Sequence, residues 1–118
     1  MYKIKVESSF SSAHNLRGYK GKCEDLHGHN WKVELVAGRD KLDKIGLVMD
    51  FKKLKAILNE FLETLDHKYL NKLPFFTKVN PTSENIAEFI FKSLKKKIPI
   101  LLSVTVWENS TSCAIYEE

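Results

Sequence analysis

The chain has 118 residues, 43% of them hydrophobic and 29% charged, with a formal net charge of +4. This length fits a single domain over residues 1–118 with a hydrophobic core, and no apolar run approaches the roughly 20 residues that a membrane span needs. The N-terminus alternates polar and apolar residues instead of forming a signal peptide, and only two cysteines occur. We therefore expect a cytoplasmic protein with no membrane association and no disulfide framework.

The positive charge suits an anionic ligand such as a phosphorylated small molecule. The largest basic run, residues 95–97, lies at the end of a predicted helix, where cations complement the helix dipole. Aromatic residues are not interleaved with the basic ones, as they are in proteins that bind single strands. The sequence therefore predicts no nucleic-acid partner.

Two strands are predicted at the start of the chain, and each carries histidine on its apolar face. In the first, residues 3–14, His14 shares the even positions with the apolar side chains. In the second, residues 27–39, His27 and His29 share the odd positions with the apolar side chains. An antiparallel hairpin would bring the three imidazoles together, unless a β-bulge in the long first strand broke the register.

Three neutral imidazoles with an open fourth position are typical of a catalytic zinc, so the pattern indicates an enzyme. Cys23 lies in the loop that leads into the second strand. A nearby cation would lower its pKa and make it a general base. Alternatively, Cys23 is the fourth ligand of a closed structural zinc site, and the residues alone leave both interpretations open.

Two amphipathic helices are predicted in the middle of the chain. Asp50 is a good N-cap for the first, which extends to about residue 65. Thr82 or Ser83 caps the second, which Pro99 ends. The apolar stripe of the first helix comprises Phe51, Leu54, Ile57, Leu58, Phe61, Leu62 and Leu65.

A closing hairpin is predicted over residues 100–108 and 112–116, so the element order is ββααββ. This order favours an α+β fold in which an antiparallel four-stranded sheet carries both helices on one face. Glu108 follows an apolar row near the end of the third strand, so it either lies past the core edge or binds a ligand. A carboxylate can accept two parallel N–H bonds, such as those of a 2-amino-4-oxo pyrimidine edge. Asp66 and His67 are a weak acid/base candidate by themselves.

Several motifs occur in one order along the chain. They are His14 with Cys-x3-His-Gly-His at residues 23–29, Leu-Asp-His-x2-Leu-Asn at 65–71, Pro-Thr-Ser-Glu-Asn at 81–85 and Trp-Glu at 107–108. In these motifs the chain resembles the 6-pyruvoyl-tetrahydropterin synthase superfamily. It is most similar to the bacterial 6-carboxy-5,6,7,8-tetrahydropterin synthase branch, which serves queuosine biosynthesis, and the resemblance covers essentially the whole chain.

The resemblance implies a tunnelling fold, in which sheets of neighbouring subunits form a barrel with active sites between subunits. The usual assembly is a homohexamer, a dimer of trimers. The implied reaction converts 7,8-dihydroneopterin triphosphate to 6-carboxy-5,6,7,8-tetrahydropterin, acetaldehyde and triphosphate. The implied residues are His14, His27 and His29 for the zinc cofactor; Cys23, Asp66 and His67 for proton transfer; and Glu108, with Thr82, Ser83 and Glu84, for the pterin ring.

One residue departs from this branch, because Glu24 directly follows Cys23. The folate-linked branch of the family has a Glu-x2-His-Gly-His pattern, so the chain carries both signatures. Glu24 is then either a second catalytic base, giving 6-hydroxymethyl-7,8-dihydropterin as well, or a solvated loop residue. Other readings are a 6-pyruvoyl-tetrahydropterin synthase and a non-catalytic module with a structural zinc, with a nucleic-acid binder a distant third.

Overall fold

The described part of the chain contains four strands that form one antiparallel sheet in the order β1-β2-β3-β4, with two α-helices packed on one of its faces. The computed structural model describes residues 1–22 and 24–118. The predicted α+β fold with ββααββ order is confirmed. Its elements are β1 (Tyr2–His14), β2 (His27–Arg39), α1 (Phe51–Leu62), two 3₁₀ helices (Leu70–Lys72 and Pro74–Thr77), α2 (Ser83–Lys95), β3 (Leu101–Trp107) and β4 (Cys113–Glu117).

The pairing of β1 with β2 decides which side chains share a face. It runs without a shift from Tyr2 opposite Arg39 to His14 opposite His27. The sheet has its irregularity on the other side of β2, between Val36 and Ala37, where β2 pairs with β3. The bulge that would have broken the register of the first strand is therefore absent from this pairing, and the alternation along β1 carries through to its last residue.

The first helix ends earlier than the apolar stripe suggests. The Leu65 N–H donates to the Leu62 carbonyl at 3.0 Å, and the Asp66 N–H donates to the same carbonyl at 2.9 Å. These bonds tighten the chain into a turn after Leu62 instead of continuing the helix to residue 65. Leu65 remains buried, whereas Phe51 in the first turn is 58% exposed and is not a core residue.

The second helix begins where its capping residue predicts. The Thr82 hydroxyl accepts a hydrogen bond from the Asn85 N–H at 3.0 Å, which satisfies one free donor of the first turn. At the other end, the Lys95 ammonium donates to the Leu101 carbonyl at 2.8 Å, so the basic run is partly structural. No helix among the described residues has the length and apolarity to cross a membrane.

Candidate metal centre

The β1–β2 hairpin gathers three imidazoles at one end of the sheet. The ring centroid of His14 lies 4.6 Å from that of His27 and 5.2 Å from that of His29, and the centroids of the latter two are 4.7 Å apart. Trp31 is fully buried and packs edge-on against His14 and His29. The meeting of the three histidines expected from strand parity is therefore present.

Two backbone carbonyls orient two of these rings. Nδ1 of His14 donates to the Pro81 carbonyl at 2.8 Å, and Nδ1 of His27 donates to the Asp25 carbonyl at 2.8 Å. A carbonyl oxygen can only accept, so the proton of each neutral ring is placed on Nδ1. The Nε2 atoms are then left with lone pairs, the arrangement that metal-binding histidines adopt.

The two lone pairs face one another. Nε2 of His14 and Nε2 of His27 are 3.0 Å apart. With both ring protons on Nδ1, neither Nε2 has a proton to share, so the pair repels unless a cation lies near both atoms. The two Nε2 atoms are therefore placed as two ligands of one metal ion would be.

The third imidazole and one carboxylate complete the cluster. Oε1 of Glu108 lies 3.2 Å from Nε2 of His14 and 3.2 Å from Nε2 of His29. Nε2 of His29 is buried and has no hydrogen-bond partner among the described residues. Burial lowers the pKa of His29, and the other two imidazoles lower it further, against the opposing effect of Glu108. His29 is thus favoured in the neutral form that binds a metal.

The cluster fits a divalent metal ion. One ligand atom from each of His14, His27, His29 and Glu108 lies within 4.8 Å of every other. In a tetrahedral zinc site with bonds of about 2.0–2.1 Å, ligand atoms are about 3.3 Å apart. The closest separations here, 3.0–3.2 Å, are near that value. Imidazole nitrogen and carboxylate oxygen are also ligands that zinc accepts.

Asp66 and His67 form a pair, but on the surface. Oδ1 of Asp66 accepts the Ser11 N–H at 2.8 Å, and Oδ2 lies 2.9 Å from Nδ1 of His67. The Ser11 hydrogen bond, with a smaller contribution from His67, lowers the pKa of Asp66. The His67 side chain is 82% exposed. The pair flanks β1 beside Ser11, and its assigned role stays a prediction.

The residues expected to bind the pterin ring fall into two groups. Ser83, Glu84 and Glu108 line one concavity between the start of α2 and the β3–β4 turn. Thr82 is instead occupied as the helix cap. Glu108 therefore stands between this concavity and the imidazole cluster, within reach of both.

The loop that precedes β2 contains the two residues with predicted base roles. Cys23 lies outside the described residues. Oε1 of Glu24 accepts the Leu16 N–H at 3.2 Å and lies 3.8 Å from Nδ1 of His27. The Glu24 carboxylate is thus partly buried and held by the loop backbone, near the cluster, and its catalytic role stays a prediction.

Sequence reasoning missed a polar clamp that holds this loop. The Asn71 side chain accepts the Asn15 N–H at 3.0 Å and donates to the Asn15 carbonyl at 2.7 Å. The Tyr69 hydroxyl donates to the Asn15 side-chain oxygen at 2.6 Å, and the Asn15 amide donates to the Glu24 carbonyl at 3.1 Å. The asparagine of the Leu-Asp-His-x2-Leu-Asn motif was the available signal. The Pro81 and Asp25 carbonyls had none, because every residue type carries a carbonyl.

Comparison with known proteins identifies the family of this chain. The profile of a family described as 6-pyruvoyl tetrahydropterin synthase matches residues 3–118. The chain belongs to the 6-pyruvoyl tetrahydropterin synthase family. Membership of this family confirms both the resemblance predicted from the motifs and the prediction of a pterin enzyme.

Curated members of the family carry several names. The chain is 42% identical over 122 residues to the 6-carboxy-5,6,7,8-tetrahydropterin synthase of Synechocystis sp., covering 98% of this chain and 93% of that protein. It is 34% identical to the protein of the same name from Haemophilus influenzae, with full coverage of both. It is also 36% identical to the dihydroneopterin monophosphate aldolase of Pyrococcus furiosus, covering 92% of this chain and 90% of that protein.

Solved structures of the family share the fold. The 6-pyruvoyl tetrahydropterin synthase of Caenorhabditis elegans superposes with a TM-score of 0.86 at 30% identity, covering 99% of this chain and 95% of that one. The enzyme of the same name from Plasmodium falciparum superposes with a TM-score of 0.81 at 23% identity, covering 99% and 97% of the two chains.

Proposed function

We propose that the protein is a zinc-dependent 6-carboxy-5,6,7,8-tetrahydropterin synthase of queuosine biosynthesis. It would convert 7,8-dihydroneopterin triphosphate and water to 6-carboxy-5,6,7,8-tetrahydropterin, acetaldehyde and triphosphate. The observation that carries the proposal is the 42% identity over 98% of the chain to a relative of that name. The motif Cys23-x3-His27-Gly28-His29 supports the same branch.

Zinc is the metal that best suits the donor set. His14, His27 and His29 would hold it. The Nδ1 protons of His14 and His27 are donated to backbone carbonyls, which leaves the Nε2 atoms of these two rings for the metal. When bound, zinc would supply Lewis-acid polarisation of the substrate side chain. The formal net charge of +4 would favour capture of the triphosphate.

Proton transfer falls to Cys23 and His67. Cys23 would take a side-chain proton as its thiolate. The Asp66 carboxylate accepts the Nδ1 proton of His67 at 2.9 Å, which leaves Nε2 of that ring to give or take a proton. The pterin edge would bind at Glu108 in the concavity that Ser83 and Glu84 also line.

The proposal includes a cytoplasmic homo-oligomer, a hexamer built as a dimer of trimers with active sites between subunits. The 82% exposure of the His67 side chain supports this arrangement, since an acid/base group at the surface of one chain needs a second surface to form a site. The helices cover one face of the sheet, and exposed Ile115 lies on the other face, in the edge strand β4. Sedimentation velocity would measure the assembly, and a monomer would contradict it.

Product analysis tests the reaction. Zinc-loaded protein incubated with 7,8-dihydroneopterin triphosphate should yield 6-carboxy-5,6,7,8-tetrahydropterin by mass spectrometry, with acetaldehyde and triphosphate. Cys23→Ala should keep its zinc and lose most of this product. A 6-pyruvoyl product would instead favour the pyruvoyl synthase alternative. Loss of zinc and of the fold in Cys23→Ala would favour a structural zinc.

A second product is favoured by the position of Glu24 and by the name of one relative. Glu24 lies 3.8 Å from Nδ1 of His27 with its carboxylate partly buried, and one relative is named an aldolase. We propose that Glu24 acts as a second base that yields 6-hydroxymethyl-7,8-dihydropterin. Cys23→Ala should then retain this product and Glu24→Ala should lose it. An unchanged yield in Glu24→Ala would leave Glu24 as a loop residue that binds the Leu16 N–H.

A further inference from the structure

We propose that a groove on the helical side of the sheet is a second binding site, which takes a small organic anion with a flat apolar body. The groove consists of two adjoining concavities that share the side chains of Phe75 and Phe89. None of the residues that line them belongs to the imidazole cluster or to the concavity beside Glu108. The proposal therefore does not rest on the reaction proposed above.

The larger concavity is apolar and has the size of a ligand pocket. It lies between the turn after α1, the second 3₁₀ helix and α2. Its volume is about 550 Å³, and it is lined by Thr64, Leu65, Leu73, Pro74, Phe75 and Phe89. Pockets for small molecules measure about 300–1,000 Å³ and are lined mainly by apolar and aromatic side chains. This concavity therefore suits the apolar part of a ligand.

The aromatic wall of the groove favours a flat ring. The ring centroids of Phe75 and Phe89 are 4.5 Å apart, and the two ring planes are inclined by 31°. Phe76 and Phe61 also contact Phe89, with centroid distances of 5.4 Å and 5.8 Å. Phe75 nevertheless remains 41% exposed. An aromatic ring that is held in place but left uncovered offers a surface on which a ligand ring can stack with an offset.

The smaller concavity supplies positive charge beside these rings. Its volume is about 340 Å³, and its polar lining consists of Glu88, Lys92, Ser93 and Lys96. Lys92 already has a counter-charge, because its ammonium lies 2.9 Å from the Glu88 carboxylate, and this hydrogen bond raises the pKa of Lys92. Lys96 takes part in none of the lysine ion pairs among the described residues. An acidic group on the ligand would therefore find an ammonium without a counter-charge at Lys96.

The neighbours of Lys96 in the basic run are placed differently. The Lys95 ammonium donates to the Leu101 carbonyl at 2.8 Å, and Lys97 lines neither concavity. Of these three consecutive lysines, Lys96 is the one that lines the groove. Lys97 therefore serves as a matched control, since it carries the same charge one residue away.

Two fluorescent probes with the same apolar body test the site. The first, 1-anilinonaphthalene-8-sulfonate, carries an anionic group, and the second, N-phenyl-1-naphthylamine, is the same molecule without that group. The wild type should bind about one sulfonate probe per chain, more tightly than the neutral probe. Phe75→Ala should weaken the binding of both probes about tenfold, because it removes the exposed ring. Circular dichroism should show the native fold in each variant.

The difference between the two probes tests the charge. Lys96→Gln should weaken binding of the sulfonate probe about twofold to fivefold and leave the neutral probe unchanged, because the ion pair is open to solvent. Lys97→Gln should leave both affinities at the wild-type values. At about 1 M salt, the wild type and Lys96→Gln should bind the sulfonate probe equally, since salt screens the attraction. Ser93→Glu adds a negative charge to the groove without altering the rings, and it should weaken only the sulfonate probe.

Three results would overturn the proposal. Undiminished binding of the sulfonate probe by Phe75→Ala and Ser93→Glu would place that probe elsewhere on the protein. An equal effect of Lys96→Gln on the two probes, or equal effects of Lys96→Gln and Lys97→Gln on the sulfonate probe, would contradict an anionic ligand. A smaller assembly of Phe75→Ala than of the wild type in sedimentation velocity would make the groove a contact between copies of the chain. Each result is independent of whether the protein forms carboxypterin.

Discussion

The Asp66 carboxylate accepts the backbone N–H of Ser11 at 2.8 Å, and the neighbouring N–H of His67 returns a bond to the Ser11 carbonyl at 2.6 Å. Ser11 and the Asp66–His67 segment, which are far apart in sequence, are thereby hydrogen-bonded in both directions, as residues of paired strands are. His67 adopts a left-handed backbone conformation at this point, with φ of 55°. The Asp66–His67 pair is thus fixed to the edge of β1. These two hydrogen bonds to Ser11 set the position of the exposed His67 ring.

Histidine substitutions should separate the metal cluster from this surface pair. The protein as purified should carry about one zinc per chain, and His27→Ala or His29→Ala should remove most of it, since each supplies one ligand. His67→Ala is the matched control and should retain the metal, because its Nδ1 pairs with Asp66. Elemental analysis measures all three, and stoichiometric zinc in a His27/His29 double variant would contradict the site.

Acid stability should depend on Asp66. The pKa of Asp66 is lowered in the folded protein, chiefly by the Ser11 N–H, so its contribution to stability is present above the unfolded value of about 3.9. That contribution is lost as the pH falls through the folded pKa. Asp66→Asn should therefore lower the melting temperature at pH 7 while flattening its decline below about pH 4. Parallel pH profiles of melting temperature in the two proteins would show that the Ser11 bond does not stabilise the carboxylate.

Thr82 should matter to stability through its cap. Thr82→Ala should lower the free energy of unfolding by about 1 kcal/mol, because the Asn85 N–H loses its acceptor. Thr82→Ser keeps the hydroxyl and should stay close to the wild type. Urea unfolding measures both. A stable Thr82→Ala protein with weakened pterin binding would instead place the hydroxyl at the ligand.

Asn71 should hold the loop before β2 more strongly than its size suggests. It is 7% exposed and makes two bonds to the backbone of Asn15. Asn71→Ala should cost about 2 kcal/mol of unfolding free energy, because two partly buried backbone groups lose their partner. Tyr69→Phe removes a single hydroxyl donor to the same Asn15 and should cost about half as much. Equal losses in the two variants would contradict this ranking.

Much of the fold was predictable because parity and helical period are properties of sequence. The alternation that ends at His14 and begins at His27 predicted both strands and the approach of their histidines. The end of α1 was not predictable from the apolar stripe, because Leu65 continues the stripe while the chain already turns after Leu62 and Asp66 bonds to Ser11 across the fold. The position of Glu108 between the imidazole cluster and the neighbouring concavity could be predicted only in part. Its parity with the apolar residues of β3 was clear, but the turn that aims its side chain was not.

The unshifted ladder between β1 and β2 also limits how the chain can change in length. A residue added or lost within β1 would turn every later side chain of that strand to the opposite face, taking His14 away from His27, His29 and Trp31. The alignment with the Haemophilus influenzae protein extends over 141 residues, more than this chain contains. Such length differences can be accommodated in connecting segments, such as that between His14 and His27, without moving one imidazole relative to another. In this chain, the hairpin fixes the three imidazoles relative to one another, whereas a connecting segment can change in length without moving them.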